Sequence, residues 1–205
     1  MASVGAIEWQ LDGIEGIVFD CDGTLVNSMP AHFEAWCEAL AFYGAANVFQ
    51  EDVFYAMGGR PTKDIVVQLN GDYGLRLSPE AVAMKKREAF LNRLSQVDEI
   101  VEVVEFARAC RGRIPMAVAT GGTRMVIERT LQVLNISDLF DEVVTADDVA
   151  IGKPAPDIYL KAAELLGVAP ARCLAVEDAP AGIMSAQQAG MRVQAIPAPL
   201  DLTLS

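Results

Sequence analysis

A chain of 205 residues has room for one large domain, or for a core carrying a smaller insertion, because a single hydrophobic core serves about 100–200 residues. Its residues are 52% hydrophobic and 21% charged, with 16 glycines and 10 prolines, a composition that fits a folded soluble protein and excludes a disordered chain. Sixteen Lys and Arg against 28 Asp and Glu give a net charge of −12, a field that repels DNA, RNA and anionic lipid, so neither nucleic acid nor membrane is an expected partner.

The chain opens on MASVGAIEWQLDGIEG, which has no basic start and no long apolar run and carries Glu8, Asp12 and Glu15; this is not the pattern of a secretion signal. Nowhere does it approach the roughly 18 apolar residues that a membrane span needs. The first predicted strand is GIVFD at 16–20, a short β-branched run followed by Asp22 and a turn at Gly23. Residues from about 30 to 96 then read as helices without a strand. Phe33, Trp36, Cys37 and Leu40 share one helical stripe behind Pro30, a second helix starts near Pro61, and a third covers 79–94 with Ser78 as its cap. Beyond this segment, the strands PMAVAT (115–120), EVVTA (142–146), CLAVED (173–178) and RVQAIP (192–197) alternate with helical patterns at 123–134, 156–167 and 180–190. Such alternation predicts an α/β fold, a parallel sheet with helices on both faces, here with a helical insertion after the first strand. No repeat or low-complexity tract is present. Cys21, Cys37, Cys110 and Cys173 lack CxxC spacing, and free thiols in a reducing cytoplasm fit them best.

In an open parallel sheet, ligands gather outside the carboxyl ends of the strands. The first predicted strand ends in Asp20 and Asp22, the second in Thr120 with Gly121 and Gly122, and the fourth in Glu177 and Asp178. GKPAPD (152–157), after the third, offers Lys153. Four acids on one edge repel one another unless a cation sits among them, and an all-oxygen set without His or Cys favours a hard ion, Mg²⁺ above all. Thr120 and the two glycines can present a hydroxyl and backbone N–H groups to an anion at a helix start, and Lys153 can neutralise that anion. These parts describe a phosphate site. In it Asp20 is placed to attack phosphorus, and Asp22 to protonate the leaving oxygen and then deprotonate a water.

Each part has a plainer reading. Asp-x-Asp-Gly begins many calcium loops, although Thr24, Leu25 and the preceding buried strand do not continue that pattern. Thr120-Gly121-Gly122 can be an ordinary turn, Lys153 a solvated cation, and Glu177-Asp178 a helix cap near Pro180. The convergence of all of them on successive strand ends is the specific signal. A Walker loop is excluded, because Asp147 stands where the motif wants its first glycine before Gly152-Lys153.

With these motifs in this order, the chain resembles the haloacid dehalogenase-like superfamily over essentially its whole length. DCDGT matches the first motif, Thr120 the second, Lys153 the third and EDAPAG (177–182) the fourth. The resemblance implies a Rossmann-like core at 1–28 and 97–205 and a cap at 29–96 similar to that of the β-phosphoglucomutase-like subgroup. It also implies Asp20 as nucleophile and Asp22 as acid/base. Mg²⁺ would be held by Asp20, the Asp22 main-chain carbonyl and Asp178 with help from Glu177, and the phosphoryl group by Thr120, Gly121 and Lys153. The segments GRIPMAVATGG and GKPAPD to EDAPAG resemble bacterial sugar-phosphate phosphatases such as fructose-1-phosphate phosphatases.

Substrate-facing candidates in the cap are His32, Arg60, Lys63 and Lys86. His32 and Lys86 fall where the mutases carry a His and a Lys. On its residues alone, however, His32 reads as a helix-surface imidazole, and GGRPTKD (58–64) as a turn with solvated cations. Pro61 stands where the mutases carry an Arg that clamps a second phosphate. The expected function is therefore a cytoplasmic, Mg²⁺-dependent phosphatase of small phosphosugars, working by double displacement through Asp20, with the oligomeric state, a monomer included, left open by the sequence. A phosphohexomutase on the same core and a non-catalytic domain that binds a phosphorylated ligand are the alternatives.

Overall fold

The computed structural model describes residues 7–58 and 60–197; residues 1–6 of the N-terminal stretch and Gly59 of the GGRPTKD turn lie outside the described residues. In chain order the elements are β1 (Gly16–Phe19), β2 (Val26–Asn27), α1 (Met29–Phe42), α2 (Glu51–Ala56), α3 (Thr62–Tyr73), α4 (Pro79–Leu91), β3 (Asp98–Glu99) and α5 (Val101–Cys110). There follow β4 (Met116–Ala119), α6 (Arg124–Val133), β5 (Glu142–Val144), α7 (Asp157–Leu166), β6 (Cys173–Glu177), α8 (Pro180–Gln188) and β7 (Arg192–Ala195).

Successive residues of a strand face opposite sides of the sheet, and the central strands are apolar on both. Ile17, Phe19, Met116, Val118, Leu174 and Val176 enter one cluster, closed by α5 and α6 through residues such as Val104, Phe106, Ile127 and Leu131. Val18, Ala117, Ala119, Cys173 and Ala175 enter the other, closed by Ile158, Tyr159, Ala162 and Ala163 of α7 and by Ala186 of α8. The five strands run in the order β5-β4-β1-β6-β7 and pair in parallel, with Val18 opposite both Ala117 and Ala175. The five predicted strands and the α/β architecture are thus present. The four cysteines are free.

Helices α2 and α5 and strands β2 and β3 lie outside the sequence expectations. Helix α5 occupies VEVVEFARAC, whose β-branched run reads as readily as a strand; burial of Val103, Val104, Ala107 and Cys110 on one side of a helix decides the conformation. Strands β2 and β3 pair antiparallel, Val26 with Glu99 and Asn27 with Asp98, so the chain leaves the sheet domain and returns to it side by side.

Between these crossings, helices α1 to α4 close over a cluster of their own, built on Trp36, Leu40, Phe49, Phe54, Val66 and Leu69. Pro30 sits in the first turn of α1, as its fixed φ suits. Of the predicted stripe, Trp36 and Leu40 are buried, while Phe33 and Cys37 are half-buried. A second line on α1, Ala31 and Ala35, packs instead with Ala89 and Phe90 of α4 into the cluster beneath the sheet. Trp36 meets Phe49 edge to face at 5.1 Å. Trp36→Ala is expected to lower stability by about 3–5 kcal/mol in denaturant titrations followed by circular dichroism, as loss of a large core aromatic does. A loss below about 1 kcal/mol would show that these helices are not organised around it.

Candidate active site

The strand order places β1 at the centre, with the chain's later strands on both sides, and the carboxyl ends of β1, β4 and β6 meet at the switch point. Ladder pairing continues one residue past the strands, where the Asp20 N–H donates to the Val176 carbonyl and the Thr120 N–H to the Val144 carbonyl, both at 3.0 Å. The backbones that carry the first acid and the threonine are thereby fixed to their neighbours. Thr120 is buried, and its hydroxyl accepts from the Gly122 N–H at 3.1 Å, which shapes the turn through Gly121.

Lys153 is buried at the centre of the cluster. Its Nζ donates to Asp20 Oδ1 and to Glu177 Oε1, each at 2.6 Å. Glu177 has no exposed surface. Its Oε1 also accepts from the Tyr159 hydroxyl at 3.1 Å, and its Oε2 from the Ala179 N–H at 2.9 Å. Gly182 makes room for this carboxylate, since a Cβ there would lie 1.5 Å from Oε1. The loop that carries Lys153 is tied to α8, whose Ser185 hydroxyl donates to the Ala155 carbonyl and whose Gln188 amide donates to that of Pro154. Burial disfavours the ammonium, yet Asp20 and Glu177 outweigh it and hold the Lys153 pKa well above its usual value. Burial raises the Asp20 carboxyl well above its ordinary range, with Lys153 pulling it down and Glu177 and Asp178 adding to the rise. The Tyr159 phenol is pushed up, first by burial, and so remains a donor.

Asp178 completes the acid group. Its Oδ1 accepts from the Thr24 hydroxyl at 2.8 Å, while Gly23, at φ +93°, leaves space that a Cβ would take 2.4 Å from Oδ2. Carboxylate oxygens of Asp20, Glu177 and Asp178 lie within 4.8 Å of one another. Burial, and next the Glu177 charge, push Asp178 up to about 7 against the opposing pull of Thr24 and Lys153. When ionised, three acids around one ammonium leave an excess of negative charge, and the set is all oxygen, so it fits a hard divalent ion such as Mg²⁺, which would displace the protons that burial and crowding favour. Glu177 already serves three donors. Asp20 and Asp178 each keep one oxygen without a hydrogen-bond partner among the described residues.

Asp22 faces away from this group, toward the helical insertion. Its Oδ1 accepts from the Ser28 hydroxyl at 2.5 Å and lies 3.0 Å from His32 Nε2. Lys86 Nζ lies 2.9 Å from the other imidazole nitrogen, Nδ1. An ammonium can only donate, so Nδ1 accepts and Nε2 carries the proton that it gives to Asp22. Burial opposes the ionised Asp22 carboxyl, but His32, Ser28 and Lys86 hold it below its ordinary range. Burial and then the Lys86 charge lower the His32 pKa, so the ring is neutral near pH 7; burial brings Lys86 down to about 8.

His32 is therefore not the surface imidazole that its residues alone suggest. It is buried and stacked on Phe90 at 3.8 Å, because α1 and α4 cross at this point over the Asp22 turn. Among the described residues, no contact brings the other cap candidates to the acids. Arg60 donates to Gln68 at 2.7 Å, and Lys63 lies exposed, 3.5 Å from Glu80. Thr24 enters the sequence reading only as a residue that breaks the calcium pattern and as the end of DCDGT, and Ser28 and Tyr159 have no part in the site there. A phenol among the small residues of the α7 buried face was the one available signal, since a buried hydroxyl requires a partner.

Residues 14–190 match the family model described as "Hydrolase: haloacid dehalogenase-like hydrolase". The chain belongs to this family. One relative is the fructose-1-phosphate phosphatase YqaB of Escherichia coli (strain K12), 39% identical over 86% of this chain and 93% of its own length. Among solved haloacid dehalogenase-like structures, a CbbY variant from Rhodobacter sphaeroides in complex with xylulose-(1,5)bisphosphate is 26% identical, with a TM-score of 0.78 over 90% of this chain and 87% of that one. The β-phosphoglucomutase of Clostridium difficile shares the fold, with 21% identity and a TM-score of 0.76 over 93% of this chain and 87% of its own.

The acid group makes a thermal prediction. The folded protein holds a proton on Asp178 up to pH about 7, whereas its ordinary value is 3.8, so this carboxyl's contribution to stability is lost as pH rises through about 7. Mg²⁺ competes with that proton. At about 100 times its dissociation constant, the ion is expected to raise the melting temperature of the metal-stripped protein by about 5–10 °C at pH 7.5, and by less at pH 5. An unchanged transition by scanning fluorimetry at both pH values would show that the three acids do not share an ion.

Proposed function

We propose that this hydrolase is a Mg²⁺-dependent phosphatase of small phosphorylated metabolites, with sugar phosphates such as fructose 1-phosphate as the expected class, working through an aspartyl phosphate on Asp20. The observation that carries the reading is the buried contact of Lys153 with both Asp20 and Glu177, which sets one ammonium against the proposed nucleophile at the switch point. The likeness to a fructose-1-phosphate phosphatase over most of both chains supports the substrate class.

In the first displacement an Asp20 carboxylate oxygen bonds to phosphorus, and the bond from phosphorus to the sugar oxygen breaks. Lys153, Thr120 and the Gly121 N–H would take the charge of the phosphoryl oxygens, and Asp22 would protonate the departing alkoxide. A bound Mg²⁺, held by Asp20, Asp178 and the Asp22 main-chain carbonyl with Glu177 beside them, would offset the charge that keeps a carboxylate from a phosphate. In the second displacement Asp22 removes a proton from water, whose oxygen bonds to phosphorus and frees Asp20. The resting contacts of Asp22 favour its ionised form, which is the form this second step needs. The charge of an arriving phosphate works the other way and promotes the protonated form needed first.

In this proposal residues 29–96 act as a cap on a core of 1–28 and 97–205. The cap rests on the core edge, since a Cβ on Gly152 would lie 3.0 Å from Pro61 and one on Gly58 3.7 Å from Ala179. Exchange of substrate then requires the cap to open, and its closure keeps water out during the first displacement.

The mutase alternative needs a second phosphate clamp in the cap. Arg60 is engaged by Gln68, Lys63 by Glu80 and Lys86 by His32, and Pro61 rather than a cation meets Gly152. Water is therefore the favoured acceptor. A domain that only binds a phosphorylated ligand has no use for the ordered His32 and Lys86 contacts behind Asp22.

A panel of sugar phosphates that includes fructose 1-phosphate is expected to release inorganic phosphate in the presence of Mg²⁺. Asp20→Asn is expected to lower that release by about 1,000-fold or more with an unchanged circular dichroism spectrum. Hexose 1-phosphate with a trace of bisphosphate yielding isomer and no free phosphate would identify a mutase instead. Silence across the whole panel would leave a binding domain.

A further inference from the structure

Tyr159 has no part in the steps above, yet it is wholly buried and its hydroxyl reaches the acid cluster. It lies on the buried face of α7 with Ile158, Ala162 and Ala163, and is the one member of that set with a polar side-chain atom. Its hydroxyl is 3.1 Å from Glu177 Oε1, the same oxygen that accepts from Lys153 at 2.6 Å, and its ring centroid is 5.1 Å from Lys153 Nζ.

We propose that Tyr159 is a positioning residue for the phosphoryl-binding lysine and acts through Glu177. The inference rests on the phosphatase reading. Three donors meet the two oxygens of Glu177: Lys153 and Tyr159 at Oε1, and the Ala179 N–H at Oε2. Rotation of the carboxylate about its last bond would break these contacts together, so its plane is fixed. Lys153 has three N–H donors, of which Asp20 and Glu177 take two. The direction of the third, toward a phosphoryl oxygen, follows from where those two acceptors stand. Without the Tyr159 hydroxyl, Oε1 answers to Lys153 alone. The Ala179 N–H is then the one anchor of the carboxylate outside the ammonium, so Glu177 and Lys153 can shift together about it and the direction of the third donor is less tightly set.

Tyr159→Phe keeps the ring, its packing and its place beside Lys153, and leaves no buried acceptor empty, so the variant is expected to fold. Calorimetric titration of the Mg²⁺-loaded protein with inorganic phosphate should give an affinity about tenfold weaker than wild type, with kcat on a hydrolysed sugar phosphate lowered by a similar factor, as for other outer contacts of charged sites. In a Glu177→Gln background the same substitution should leave phosphate affinity unchanged, because the route through Glu177 is already lost. A hydroxyl that serves only folding would instead lower the melting temperature and leave affinity and kcat untouched, which overturns the proposal. Equal losses with and without Glu177→Gln would overturn it too, by showing that Tyr159 acts independently of that carboxylate. Wild-type protein that binds no phosphate with Mg²⁺ would remove the phosphatase reading and this inference together, whereas normal wild-type binding matched by Tyr159→Phe removes the inference alone.

Discussion

The ammonium of Lys153, held between Asp20 and Glu177, is the interaction on which the site depends. It joins three pieces of chain that are remote in sequence: the end of β1, the loop before α7 and the end of β6. Removing charges from water is costly, and a buried ion pair is often no more stabilising than well-packed apolar residues. Its effect here is geometric. With Lys153 absent, Asp20, Glu177 and Asp178 would face one another as uncompensated acids within 4.8 Å; with it present, they stand at fixed places around a shared space. The glycines nearby serve the same end, since Gly23 and Gly182 lie where any Cβ would strike Asp178 or Glu177.

The surroundings of the two aspartates of the first motif come from different parts of the chain. Asp20 is held by groups on the sheet domain, whereas Asp22 takes its partners from α1, from α4 and from Ser28 at the α1 cap. A displacement of α1 and α4 would take His32 and Lys86 from Asp22 and leave the contacts of Lys153 in place. The protonation of Asp22 is thus tied to the position of the helices, and that of Asp20 is not.

Much of this was legible in the sequence. The five apolar runs and their order dictate a parallel sheet, and a parallel sheet gathers whatever its strands carry at their carboxyl ends; Asp20, Thr120, Glu177 and Asp178 follow from that rule. Lys153 follows from its loop. What stayed hidden depends on how helices lie over the sheet. Local periodicity puts His32 on a helix but cannot say that α4 crosses above it and buries it against Phe90. Tyr159 meets Glu177 only through the seating of α7 against β6, and Ser28 meets Asp22 only through the turn between β1 and β2. Helix α5 was missed for a different reason: β-branched residues at its start favour a strand locally, and burial overrides them.

Charge accounting also bears on what the site can accept. A chain of net charge −12 must collect cations locally to hold any phosphate, and it does so sparingly. Lys153 is committed to the acids at the sheet edge, Lys86 to His32, Arg60 to Gln68 and Lys63 to a solvent-facing Glu80. In the proposed phosphatase, one phosphoryl group would be met by the third donor of Lys153, by the backbone after Thr120 and by an ion among the acids. Under the same proposal, a second phosphate on one substrate would find Lys153 already directed at the first, and its charge would add to the surplus already present. Under the proposed function, the arrangement would suit a ligand with a single phosphate and a neutral remainder, recognised by shape and hydrogen bonds rather than by charge.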